Sequence, residues 1–78
     1  MVRKHSVALH GHRTSFSLEE EFMAALRKMA ETRGQSLASL IAEVDETRGE
    51  GANLSSALRV FVLKALQARI APGDDVTG

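Results

Sequence analysis

Apolar residues recur in two different periods along the chain. In Lys4-His5-Ser6-Val7-Ala8-Leu9 they alternate, with Val7 and Leu9 on one side. From Arg13 to Leu18 they alternate again, with Thr14, Phe16 and Leu18 on one side and Arg13, Ser15 and Ser17 on the other. A period of two predicts strands over about 4–9 and 13–18. His10-Gly11-His12 separates them, and glycine's access to positive φ suits a turn or bulge there. A lone amphipathic strand needs a partner, and for 13–18 a second copy of the chain could supply one.

After Leu18 the period becomes helical. Ser17 and Glu20 read as a capping box, and Glu19, Glu20 and Glu21 complement the positive end of a helix dipole. Phe22, Leu26 and Met29 at i, i+4 and i+7 predict the core stripe of a helix over about 19–33, ended by Gly34. Ser36 is a candidate N-cap for a helix over about 36–48, with Leu37, Leu40, Ile41 and Val44 as its stripe and Arg48-Gly49 as its stop. Glu31-Thr32-Arg33-Gly34 recurs as Glu46-Thr47-Arg48-Gly49, which reads as shared helix-ending chemistry rather than as a structural repeat. Beyond a Glu50-Gly51-Ala52 linker, Asn53 can cap a third helix over about 54–69. It is apolar on nearly every face except at Ser55, Ser56, Arg59 and Lys64. A helix hydrophobic all round should be buried, and its natural cover is a second protomer. The pattern predicts one domain over 1–70 and a flexible tail over 71–78.

A chain of 78 residues folding alone would bury only about 60% of its unfolded surface. It has no cysteine for a disulfide or thiolate metal site, which leaves oligomerisation as the common remedy. Tryptophan and tyrosine are absent and phenylalanine occurs three times, so the core must be aliphatic. No signal-peptide or membrane-spanning apolar run is present, and a soluble cytoplasmic protein with no membrane partner is expected.

Formal net charge is zero, but the charges are segregated. Residues 1–18 hold Arg3, Lys4 and Arg13 and no acid, whereas the remainder carries a compensating acidic excess. The strand end is therefore electropositive relative to the helical body.

Candidate chemistry is sparse. The three adjacent glutamates at a helix start point in different directions and make no carboxylate dyad, and nothing arranges the serines and histidines as nucleophile, base and orienter. An enzyme is not expected, nor any cofactor. His10 and His12 on one face of an extended segment could hold a transition metal, but no cysteine or nearby carboxylate completes a site, and a turn or phosphate-contacting role is preferred. Gly34-Gln35-Ser36 reads either as helix punctuation or, with its free first-turn amides and hydroxyl, as a phosphate site. The Arg13, Ser15 and Ser17 face reads either as a solvated strand face or as the reading face of an antiparallel ribbon in the DNA major groove, where arginine pairs well with guanine and serine discriminates less.

Strand, helix, Gly-x-Ser and helix over 13–48 resemble the ribbon-helix-helix superfamily of the Arc and methionine repressors. With Arg3-Lys4-His5-Ser6-Val7, Leu9-His10-Gly11-His12-Arg13-Thr14-Ser15 and Asn53-Leu54-Ser55-Ser56-Ala57-Leu58-Arg59, the chain is similar to a family of short bacterial proteins described as a ribbon-helix-helix domain. The resemblance implies a mainly α fold with a short β-ribbon: an intertwined homodimer in which strand 13–18 pairs with its own copy. The segment 4–9 and the third helix are additions to the minimal fold, and an extra strand beside the ribbon would make a four-stranded sheet, too wide to enter a groove in the usual way. The resemblance further implies base contacts from Arg13, Ser15 and Ser17 and a phosphate clamp at Gly34, Gln35 and Ser36. Arg3 and Lys4 are expected to add phosphate contacts. Together these predict a homodimeric, double-stranded-DNA-binding transcriptional regulator. The alternative is a dimeric protein-interaction module or antitoxin-like protein with an unidentified protein partner, although the segment from Arg69 onward is short and polar for partner binding.

Overall fold

In a computed structural model that describes residues 1–48 and 53–69, the order is β1 (Val2–Leu9), β2 (His12–Glu19), α1 (Glu20–Arg33), α2 (Leu37–Thr47) and α3 (Leu54–Arg69). The Gly49 stop, the linker at 50–52 and the tail at 71–78 lie outside the described residues.

The strand expected at 4–9 is longer, and it supplies β2 with a partner from the same chain. The strands pair antiparallel from Leu9 opposite His12 to Val2 opposite Glu19. His10 at φ 51° and Gly11 at φ 83° make the two-residue loop. Positive φ at both central positions is the type I′ arrangement, whose twist matches that of the strands it joins. The edge strand expected to need a second copy is thus paired on one side within its own chain.

Opposed residues share a face, so Leu18, Phe16, Thr14 and His12 align with Arg3, His5, Val7 and Leu9. From this face Leu9, Phe16 and Leu18 enter the core. His5 stacks on Phe16 with ring centroids 5.6 Å apart.

The capping box does not form. Extended pairing carries on to Glu19, which takes the N-cap place at φ −67°, ψ 149° and makes no side-chain capping bond. The Ser17 amide instead donates to Ser55 Oγ at 3.2 Å, and the Glu20 carboxylate takes Arg3 at 3.1 Å. Because the strand holds Ser17 two residues before the helix boundary, its hydroxyl cannot serve the first turn. The core face of α1 is Met23, Leu26 and Ala30, with Phe22 and Met29 at its margin, so the expected stripe is rotated by about one residue.

Gly34 ends α1 in the left-handed region at φ 70°. Its amide donates to Glu31 O and that of Gln35 to Ala30 O, a Schellman closure. The same Glu-Thr-Arg tetrapeptide opening ends α2 differently: Arg48 is extended at φ −75°, ψ 147°. Ser36 caps α2 by accepting from Ser39 N at 3.0 Å, and Asn53 Oδ1 caps α3 through Ser56 N at 2.7 Å.

The core is completed by Leu40, Ile41 and Val44 of α2 and Leu54, Leu58 and Val62 of α3; among the described residues it contains no buried polar side chain. The expectation that α3 is buried all round is met on one face only. Val60, Leu63 and Leu66 remain about half exposed, because the other described elements pack against the opposite side of the helix, through Leu54, Leu58 and Val62.

Candidate nucleic-acid interface

Strand alternation decides which side of the hairpin is free. The helices pack on the Phe16 and Leu18 side, so the opposite side carries Arg13, Ser15 and Ser17 of β2, all exposed. Directly across from them stand Ala8, Ser6 and Lys4 of β1. The three β2 residues are thus brought onto one surface. β1 lies beside that surface in the sheet and does not cover it.

Lys4 shares this face, opposite Ser17, whereas Arg3 belongs to the other register and turns to Glu20. Of the two basic residues expected to meet phosphate, Lys4 therefore stands with Arg13, and Arg3 does not. Ser6 was missed by the sequence reading. It becomes visible only once the polar set of 4–9 is placed opposite that of 13–18. Glu19, at the far end of the face, is held by Arg59 at 2.8 Å. That hydrogen bond, before any longer-range charge effect, keeps the Glu19 carboxyl below its ordinary pKa. The face consequently presents Lys4 and Arg13 with no uncompensated acid.

Gly34, Gln35 and Ser36 lie together at the entrance to α2 and are already engaged. Ser36 Oγ accepts from Ser39 N, while Gln35 Nε2 donates to Ser39 Oγ at 3.0 Å and to Glu43 Oε2 at 2.8 Å. The nearby Glu43 carboxylate opposes an anion, but Arg33 sits beside it, with Nη1 3.5 Å from Glu43 Oε1 and 3.5 Å from Gln35 Oε1. The Arg33 guanidinium also lies 5.5 Å from the Phe61 ring centre. Arg33 is the second residue the sequence reading missed, since a last-turn arginine looks like dipole complementation.

His10 and Gly11 form the turn, and His12 begins β2. His10 Nε2 approaches Glu46 at 3.6 Å and Asp45 at 4.0 Å, which ties the hairpin tip to the end of α2. No group of three or more metal-ligating side chains occurs among the described residues. A groove between α2 and α3 is lined by Val44, Thr47, Arg48, Ser56, Ala57, Val60, Phe61 and Lys64, and among the described residues that line it none is a carboxylate or an imidazole that could activate its hydroxyls. Among the described residues no helix is long and apolar enough to cross a membrane.

The chain matches no curated protein and no solved structure. A family match does exist, and it runs from the first strand through most of α3. Over residues 2–66 the sequence fits the ribbon-helix-helix domain, and the chain belongs to that family.

Proposed function

We propose that this protein is a homodimeric DNA-binding transcriptional regulator of the bacterial cytoplasm that addresses the major groove with the outer face of its β-sheet. The observation that carries the proposal is the uncovered surface of Arg13, Ser15, Ser17, Lys4 and Ser6 on the side of the hairpin away from the helices. The ribbon-helix-helix family holds DNA-binding regulators and antitoxins, and the segregation of Lys4 and Arg13 onto this face gives an otherwise neutral chain an electropositive surface.

The homodimer uses the other edge of β2. Ser17 N–H donates to Ser55 and so points away from β1. By the alternation of an antiparallel ladder, the backbone groups of Arg13 and Ser15 point the same way. Pairing centred on Thr14 lets Arg13 and Ser15 bond their counterparts in the copy and leaves the Ser17–Ser55 bond in place. The resulting order is β1-β2-β2′-β1′. Three strand spacings of about 4.8 Å make it roughly 14 Å across, against a major groove about 12 Å wide. The sheet therefore straddles the groove: Arg13 on the inner strands has the reach for a guanine edge, the serines contact what lies nearer, and Lys4 on the outer strands meets phosphate. Arg33 and the α2 entrance supply a second phosphate anchor.

Fluorescence anisotropy with genomic DNA fragments at about 50 and 200 mM salt tests this, because phosphate contacts make affinity fall with salt. Binding at low salt that weakens at high salt is expected; no binding at low salt overturns the proposal. Replacing Arg13 with Ala should cost about 1–3 kcal/mol on a preferred site. A protein-docking or antitoxin-like role is the second reading, favoured by the exposed Val60, Leu63 and Leu66. Stoichiometric co-purification of a partner independent of DNA would select it.

A further inference from the structure

The groove between α2 and α3 is an apolar trough with polar groups at its ends. Val44 of α2 is buried, Ala57 and Phe61 of α3 are partly buried against the core, and Val60 is 47% exposed. The volume is about 420 Å³, within the range of small-molecule pockets, about 300–1,000 Å³. The Phe61 ring is held by the Arg33 guanidinium, 5.5 Å from its centre, so this wall is in place before any ligand arrives. The polar groups differ in what they have left to offer. Thr47 Oγ1 donates to Val44 O at 3.0 Å, so its proton is committed. Arg48 Nε meets Asp45 Oδ1 at 2.6 Å, so its charge is compensated. Lys64 makes no hydrogen bond or ion pair with any described residue. Ser56, Val60 and Lys64 stand at i, i+4 and i+8 of α3 and form one row. At 1.5 Å per residue the row is about 12 Å long, and an extended chain of roughly eight carbons fits within it.

We propose that this groove binds an amphipathic monocarboxylate, an unbranched acid of roughly eight carbons, with its carboxylate on Lys64 and its chain along Val60, Ala57 and Phe61. Charge complementarity selects this occupant. One uncompensated ammonium stands at one end of the trough, and no described residue that lines it is acidic. A single negative charge on an apolar body matches both features. A cationic amphiphile would set like charges together, and a neutral one would leave Lys64 without a counter-charge. The site is built from α2 and α3 alone, so it does not depend on the DNA-binding reading of the hairpin.

Amide NMR of the isotope-labelled full chain tests the proposal, with octanoate, octanol and octylamine as probes, each well below micelle formation. Octanoate should shift the amides of Val44, Ala57, Val60 and Phe61 along one saturable curve and bind the most tightly of the three. Lys64→Gln should weaken octanoate about fivefold, the upper end of what a solvent-exposed ion pair contributes, and leave octanol unchanged. Lys64→Glu should reverse the order of octanoate and octylamine. Val60→Ser, at a position exposed enough to leave folding intact, should weaken octanoate and octanol alike. Octanoate shifts that do not saturate, that fall elsewhere on the chain, or that keep their full affinity in Lys64→Gln overturn the site. Groove signals that move with protein concentration before any probe is added, and that octanoate fails to reverse, give the groove to a second copy and overturn it as well.

Discussion

Arg59 Nε donates to Glu19 Oε1 at 2.8 Å across 40 residues of sequence, and so fastens the second turn of α3 to the last residue of β2. Its hydrogen bond lowers the Glu19 pKa from 4.5. A carboxyl with a lowered folded-state pKa contributes stability above its unfolded pKa and loses it as pH falls through the folded value. Glu19→Gln should therefore be less stable than wild type near neutrality, with the difference shrinking below pH 4.5. Urea midpoints from pH 7 to 3 check this; a gap that does not narrow at all between pH 4.5 and pH 3 would mean the bond is not charge-dependent.

His5 Nε2 is buried without a hydrogen-bond partner on the core side of β1. An unsatisfied buried polar atom costs about 1–3 kcal/mol. His5→Phe keeps an aromatic ring against Phe16 and removes that atom, so thermal or urea unfolding should show a gain of that order.

Gly11→Ala should cost roughly 1–2 kcal/mol, the penalty for an L-residue in the left-handed region. A Cβ there meets nothing within 4 Å, so the cost is backbone strain rather than a clash. Unfolding midpoints of Gly11→Ala and Gly11→Asn separate the two causes, since asparagine tolerates this region better and should lose less.

Lys4→Ala and Arg3→Ala should differ on DNA although the residues are adjacent. Lys4 shares the Arg13 face, and its loss should reduce the slope of log affinity against log salt by about 1. Arg3 is turned to Glu20 at 3.1 Å and should change the slope less. Equal slopes for the two variants would argue against the outer face as the contact surface.

Much of the architecture was legible because its signals are local. Alternation at 13–18, the turn at Gly11, the glycine closure at Gly34 and the caps at Ser36 and Asn53 each depend on residues within a few positions of one another. The outward set of Arg13, Ser15 and Ser17 followed from the same periodicity. Less legible were the roles open to competition. Ser17 satisfies the local rule for a capping box, yet its amide lies in a strand and is taken by Ser55, 38 residues away. Arg3 and Lys4 look alike in sequence, and the β1 register alone puts them on opposite faces.

The sequence by itself determined the order of strands and helices, the glycine stop of α1 at Gly34, and the electropositive character of the N-terminal segment. Those follow from backbone preference, side-chain spacing and charge count, which neighbouring residues settle among themselves. The tertiary structure decided that β2 pairs with β1 of its own chain, that Ser6 and Lys4 join the Arg13 face, and that α3 buries only one side. These outcomes depend on which distant groups satisfy a strand edge and how much apolar surface one small core can hold, and no local pattern contains either quantity.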